Sequence, residues 1–232
     1  MDDVIDRFDD VAGDYEEFTD TVPNYDEMMR TIGEIFNVWA QEKSPRSICE
    51  LGTGQGRHTR TIVEQFRPET YVGVDGAQSM IRRTRERFES YDGPTDTTFI
   101  QASFQDWTPD QHFDWIFSSL SIHHMEDSEK RRLFEKIHNH LNEHGRFLLC
   151  DLTRRPEGLV DFYREVERHR MLQQGLSEEE IQERKEIHVT SDVPAYFDDL
   201  VTWLKDTGFN SVDCVWKNFN RVILVGAKGL LS

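Results

Sequence analysis

The stretch "ICELGTGQGRHTRTI", residues 48–62, decides the fold. It opens with apolar residues around an acid, Glu50. It then passes through three glycines in five positions, Gly52, Gly54 and Gly56, and continues polar and helix-compatible. A strand, a tight turn and a helix start in this order bring a backbone close to a ligand, because glycine accepts conformations that a side chain forbids. Outward from this stretch the pattern repeats. "SICEL", "TYVGVD", "TTFIQA", "FDWIFSSL" and "RFLLCDL" read as strands. Helix candidates lie between them at Thr59 to Phe66, Ser79 to Phe88 and Ser128 to Leu141. Strands apolar on both faces, alternating with helices, predict a parallel sheet covered by helices.

The flanks follow other rhythms. Phe8, Val11, Tyr15 and Phe18 recur at helical spacing, and beyond Pro23 so do Met28, Met29, Ile32, Ile35 and Phe36. After Asp151, Leu159 to Gln174 reads as a charged amphipathic helix. "SEEE", Ser177 to Glu180, reads as a capping box opening another. A helix around Tyr196 to Lys205 stops at "TGF", and "SVDCVWK" and "RVILVGA" form a terminal antiparallel hairpin turning near Asn218 and Asn220. The expected fold is α/β: a Rossmann-like, seven-stranded, mostly parallel sheet with that hairpin, helices on both faces and a helical lid. One domain spans residues 1–232. Within it, 1–45 form an N-terminal helical lid, 46–151 a cofactor-binding core, 152–195 a helical insertion over the acceptor pocket, and 196–232 the last helix and hairpin.

Composition narrows the function. The 232 residues are 37 % hydrophobic and 31 % charged, as in an ordinary globular domain. With 27 basic and 44 acidic residues, the net charge of −17 repels phosphate backbones and disfavours nucleic acid as a partner. The densest basic run, "RRTRER" at Arg82 to Arg87, reads as the solvated face of a helix. Cys49, Cys150 and Cys214 are far apart with apolar neighbours, which reads as buried thiols rather than disulfides. "MDDVIDRFDD" is no signal peptide and no apolar run is long enough for a membrane span, so a cytoplasmic location is expected. No Cys, His and carboxylate cluster has metal-ligand spacing, so no metal is expected. A homodimer stays open.

The ligand of the glycine turn follows from charge. In an open parallel sheet the ligand sits at the carboxyl ends of the strands, where strand order reverses. The dinucleotide fingerprint G-x-G-x-x-G reserves for its last glycine the position occupied here by Arg57. An acid pointing into the crevice, Glu50, repels a pyrophosphate but attracts an ammonium or sulfonium. Asp75, ending the second strand, stands where an acid meets ribose hydroxyls. A nucleoside with a free diol and a cationic tail describes S-adenosylmethionine.

"ELGTGQG", "GVDGAQSM", "FDWIFSSLSIHHM" and "LNEHGRFLLCDL" resemble, in order and spacing, the successive motifs of the class I S-adenosylmethionine-dependent methyltransferases. The resemblance covers about Ile48 to Asp151, and "WLKDTGF" with its hairpin is similar to that family's end. It implies that Glu50 faces the methionine ammonium, that Gly52, Gly54 and Gly56 approach methionine and ribose, and that Asp75 holds the diol. Met80 would pack near the adenine. Ser103, where most members carry Asp, and the Phe104 backbone would meet the base, and Ser119 would touch the methionine end. "FTDTVPNY" resembles a subgroup whose N-terminal helices fold over the cofactor, with Tyr25 reaching the methionine moiety. That subgroup includes the enzyme that makes carboxy-S-adenosylmethionine for tRNA wobble-uridine modification. It needs an arginine just ahead of the last helix, where this chain reads "TSDVPAY", and the departure argues against that chemistry.

Methyl transfer needs alignment and water exclusion, and a base only when the acceptor carries a proton of high pKa. His123 and His124, just past the fourth strand, either take that proton or pack the strand end. Asp151, ending the fifth strand, either binds the acceptor or serves as base, or else caps the next turn or pairs with Arg154 or Arg155. Tyr15, His124 and Tyr163 are expected in the acceptor pocket. Trp203, Trp216 and Phe219 are lid-region aromatics that either join that pocket or belong to the core. The expected activity is methyl transfer from S-adenosylmethionine to a small molecule, leaving S-adenosylhomocysteine. The alternatives are non-methyl chemistry on the same sulfonium: cyclisation or transfer of its aminobutyryl arm, which leaves methylthioadenosine, or formation of carboxy-S-adenosylmethionine. A non-catalytic nucleoside-binding regulator and a nicotinamide oxidoreductase are the remaining rivals.

Overall fold

The computed structural model describes residue 5 and residues 24–182 and 192–229. Its seven strands are β1 (Ser47–Leu51), β2 (Thr70–Asp75), β3 (Asp96–Gln101), β4 (Phe113–Ser119), β5 (Leu141–Leu152), β6 (Ser211–Asn218) and β7 (Arg221–Ala227). They form one sheet in the order β3-β2-β1-β4-β5-β7-β6. The first five run parallel, and β7 enters antiparallel between β5 and β6. The expected mostly parallel sheet with a closing hairpin is what the chain builds.

The helices divide between the two faces because alternate strand residues point opposite ways. Ile48 joins one core cluster with α1 (Tyr25–Glu42), α2 (Arg57–Phe66) and α3 (Gln78–Phe88), while Cys49 joins the other with α4 (Asp127–Asn139) and α6 (Phe197–Asp206). Along α1, Met28, Ile32, Phe36 and Trp39 recur every three or four residues and are buried. Phe36 stacks on Trp115 of β4 with ring centres 5.2 Å apart. The arginines of "RRTRER" lie on the outer side of α3, whose buried residues are Met80, Ile81, Thr84 and Phe88.

Three details differ from expectation. β5 begins at Leu141 rather than Arg146, because buried Leu141 pairs with Phe113 ahead of a register shift. Cys214 is half-buried, since β6 is the edge strand and its residues alternate toward solvent. The helix expected to be amphipathic, α5 (Val160–Gln173), buries Tyr163 alone. The capping box holds: Ser177 N donates to Glu180 Oε2 at 2.6 Å, and Glu180 N to Ser177 Oγ at 3.2 Å. No helix among the described residues is long and apolar enough to cross a membrane. Strand order reverses between β1 and β4, so the crevice opens beyond Leu51 and Ser119.

Candidate functional site

The glycine turn begins where β1 ends. Gly52 (φ 84°) and Gly56 (φ 73°) adopt the left-handed conformation, and both are hemmed in by side chains. A Cβ on Gly52 would lie 1.9 Å from Ser121 Oγ, and one on Gly56 would lie 2.8 Å from Thr84 Cγ2. Gly54 (φ 54°) differs: a Cβ there would meet open space, leaving a cradle over the turn. Asp75 clamps the turn from β2. Its Oδ2 accepts from Gly54 N at 2.8 Å and its Oδ1 from Ala77 N at 2.9 Å.

Glu50 lies inside fully buried β1 and is only 4 % exposed. Its Oε2 accepts three hydroxyl bonds, from Thr53 (3.0 Å), Thr59 (2.5 Å) and Tyr71 (2.6 Å). Burial pushes its pKa up to about 7. The three hydroxyls pull it back, and the Asp75 charge adds to the rise. A carboxylate held near neutrality by desolvation gains most from a cation. It stands on the wall of a cavity that Gly52, Gly54, Ser119, Tyr25 and Phe36 also line. Tyr25 there shares a 2.7 Å hydrogen bond with His58 Nε2.

Met80, Ser103 and Phe104, also expected around the nucleoside, are not among the described residues that line this cavity. Met80 is buried with Ala77, and Ile5 packs against both. Ile5 also covers Gly76, whose Cβ would sit 2.8 Å from Ile5 Cδ1. Ser103 Oγ donates to Asp106 Oδ2 at 2.7 Å and closes a turn there, with Trp107 N bonded to its carbonyl at 2.9 Å. The Phe104 carbonyl accepts from Lys136 Nζ at 3.1 Å.

A second group forms past β4 and β5. Leu120, in a left-handed conformation (φ 53°), turns the chain back while its N–H bonds Cys150 O at 2.8 Å. This sets His123 against Asp151, Nδ1 to Oδ1 at 2.5 Å, with both side chains buried. Asp192 comes from a distant segment: its Oδ1 is 3.8 Å from His123 Nε2 and 3.3 Å from His124 Nδ1. Burial alone would lower the His123 pKa, but the charge and hydrogen bond of Asp151, helped by Asp192, outweigh it and leave a net rise. Asp151 thus pairs with His123 rather than with Arg154 or Arg155.

Two partners of this group were not found in the sequence. Lys130 is 1 % exposed and donates to Met125 O (2.7 Å), Asp127 Oδ1 (3.1 Å) and Val193 O. It pins the Asp192 segment to α4, and Val193 N adds a bond to His123 O at 2.8 Å. A signal existed: Leu133, Phe134 and Ile137 follow Lys130 at three, four and seven positions, which puts the lysine on the buried face. Asp192 carried none. His123, His124 and Asp192 bring ligand atoms within 4.8 Å of one another, a cluster with no signature spacing along the chain.

Other expected pocket residues stand elsewhere. Tyr163 packs edge-on against Phe219, ring centres 5.2 Å apart, outside the residues that line the glycine-turn cavity. Trp203 is core, and Trp216 Nε1 donates to Glu27 Oε1 at 3.3 Å. Tyr15 lies outside the described residues.

Comparison with known proteins agrees with this architecture. Residues 48–145 match the family model described as "Methyltransferase domain". A carboxy-S-adenosyl-L-methionine synthase from Helicobacter hepaticus is 23 % identical over 214 residues, 88 % of this chain and 86 % of the relative. A trans-aconitate 2-methyltransferase from Acidovorax sp. is 32 % identical over 79 residues, 34 % of this chain and 28 % of the relative. Among solved structures, the DhpI–SAH complex superimposes with a TM-score of 0.62 at 15 % identity, over 97 % of this chain and 95 % of that one. Residues 48–145 thus resemble a methyltransferase domain, and the fold is that of solved S-adenosylmethionine-dependent methyltransferases.

Proposed function

We propose that the chain binds S-adenosylmethionine at the Gly52–Gly54 turn and transfers its methyl group to a small-molecule acceptor held beside His123. The observation that carries this reading is Glu50, a buried carboxylate bonded to three hydroxyls on the wall of the crevice, with a pKa near 7. The donor set fits the nucleoside. The open face of Gly54 would admit it, Asp75 would hold the diol, Tyr25 and Ser119 would border the methionine end, and Glu50 would offer its charge to the ammonium. Bound there, the cofactor would supply the methyl, an electrophilic carbon on a positively charged sulfur, for an acceptor's nucleophilic atom and keep the electrons of the broken bond on sulfur.

The rest belongs to the protein. His123 Nδ1–H donates to Asp151, which fixes the tautomer with its lone pair on Nε2. Nε2 takes the acceptor's proton, and Asp151 and Asp192 stabilise the imidazolium.

A second reading, formation of carboxy-S-adenosylmethionine, has specific support. The synthase of that name spans 88 % of the chain. Although no arginine occurs in "TSDVPAY", the Arg154 guanidinium bonds Pro194 O at 3.2 Å and lies 4.9 Å over Tyr196. Product analysis separates the readings. The purified chain is incubated with methyl-labelled S-adenosylmethionine and metabolite fractions. Methyl transfer yields S-adenosylhomocysteine and a labelled acceptor, the second reading yields the carboxylated sulfonium, and loss of the aminobutyryl arm yields methylthioadenosine. Failure of calorimetry to detect S-adenosylhomocysteine binding sinks both readings.

A further inference from the structure

Beyond Leu152 a second cavity of about 610 Å³ opens, of a size for a metabolite. Its described lining holds five arginines and two acids, in a chain whose net charge is −17. Arg155, in the loop after β5, and Arg221, the first residue of β7, share a single carboxylate, Glu167 of α5. Arg221 reaches Glu167 Oε1 at 3.3 Å, and Arg155 takes Oε2. Arg221 is 8 % exposed.

Three buried polar atoms on this one cavity have no hydrogen-bond partner: Arg155 Nε, Arg221 Nε and Asn220 Oδ1. They are half of the six such atoms among the described residues, and their clustering marks a missing ligand rather than scattered imperfection. Burial, and behind it the charges of Arg155 and Arg170, lower the Arg221 pKa even with Glu167 beside it. Among the described residues, these two guanidiniums share the one carboxylate of Glu167 in a poorly solvated place, which leaves their cluster with positive charge in excess. Planar guanidinium forks match carboxylate and phosphate oxygens.

We propose that this cavity binds an oxyanion of the acceptor, a carboxylate or a phosphate, on Arg155 and Arg221. The proposal rests on the methyltransferase reading for the word acceptor, but not for the site. Asp192 lines the cavity and also stands 3.8 Å from His123 Nε2, and Leu152 follows Asp151. An acid anchored on the arginines therefore extends its nucleophilic atom toward the histidine. Arg164 and Arg168 contribute less, since each already pairs with an acid of the same helix, Asp161 and Glu165.

The test is calorimetry on the full chain, with and without S-adenosylhomocysteine, using inorganic phosphate and succinate as probes at ionic strength held constant with chloride. At least one probe binds the wild type, and which binds tighter says whether the anchor is phosphate or carboxylate. Arg155→Gln weakens it by about tenfold or more, one lost charge-assisted pair. Glu167→Gln removes the competing carboxylate and strengthens the same probe, an effect in the opposite direction that loss of structure does not mimic. Binding of neither probe overturns the proposal, as does a Glu167→Gln variant that binds no tighter. If S-adenosylhomocysteine does not bind while both variants behave as stated, the methyltransferase reading falls and the anion site stands. If it binds and neither probe does, the reverse holds.

Discussion

On the β1–β2 side of the crevice, the inward polar groups come from one run of chain, Glu50 to Asp75, and all are held by near neighbours. Thr53, Thr59 and Tyr71 hold Glu50, and Asp75 holds Gly54. On the β4–β7 side, His123, Asp151, Asp192, Arg155, Glu167 and Arg221 arrive from five separate segments and meet only in the folded sheet. The first side is acidic and suits a cation, and the second is rich in guanidinium and suits an anion. On the proposed reading, a cofactor and an acceptor of opposite charge would have separate berths.

The contrast is broken most severely by His123→Ala. If the proton passes through Nε2, turnover falls by roughly 10² or more, while S-adenosylhomocysteine affinity by calorimetry is unchanged. An unchanged rate removes the base from the mechanism. Asp75→Ala is the matching cut on the other side. It lowers S-adenosylhomocysteine affinity about a hundredfold, the worth of two charge-assisted hydrogen bonds, and leaves phosphate or succinate binding intact.

The pH dependences sharpen the comparison. Glu50 is half protonated near pH 7 in the free protein, and a cation needs it ionised. Affinity for S-adenosylmethionine therefore falls about tenfold for each pH unit below 7, measured by calorimetry. The raised pKa also favours the protonated acid in the fold, so the penalty on stability grows as pH rises from 4.5 through 7. Glu50→Gln relieves it, raising thermal stability at pH 8 while weakening the cofactor. For His123 the raised pKa puts the ascending limb of the rate profile above pH 6.5. Asp151→Asn removes the attracting charge and moves that limb to lower pH. The same pair stabilises the fold fully below pH 6.5, and that contribution is lost as pH climbs through the raised value. Smallest of all, Ser103→Ala changes cofactor affinity only a few-fold, because the hydroxyl is already engaged by Asp106.

How much of this was legible follows from the same division. Glycine spacing, a buried acid in an apolar strand and an acid at the next strand's end are local facts, so the turn, Glu50 and Asp75 could be read directly. The strands were legible because a doubly covered sheet leaves continuous apolar runs. The Asp192 contact depends on a segment far along the chain from His123, and Asp192 is an ordinary surface-type residue in its own neighbourhood. Arg155, Arg221 and Glu167 likewise look solvated until α5 and β7 close over them. Tyr163 misled for the converse reason: an aromatic on a lid helix can turn toward its neighbours, here Phe219, as easily as toward a ligand.

The insertion of β7 between β5 and β6 has a consequence for synthesis. A nascent chain that has emerged only as far as Asn218 has β5 with one flank open, a row of bare amides and carbonyls along Phe147, Leu149 and Asp151. Translation must deliver a few more residues before that flank is covered, and Arg221, which leads the covering strand, comes into place at the same moment. The strand that seals the sheet thus also completes the guanidinium pair, whereas the Glu50 side needs nothing from β7.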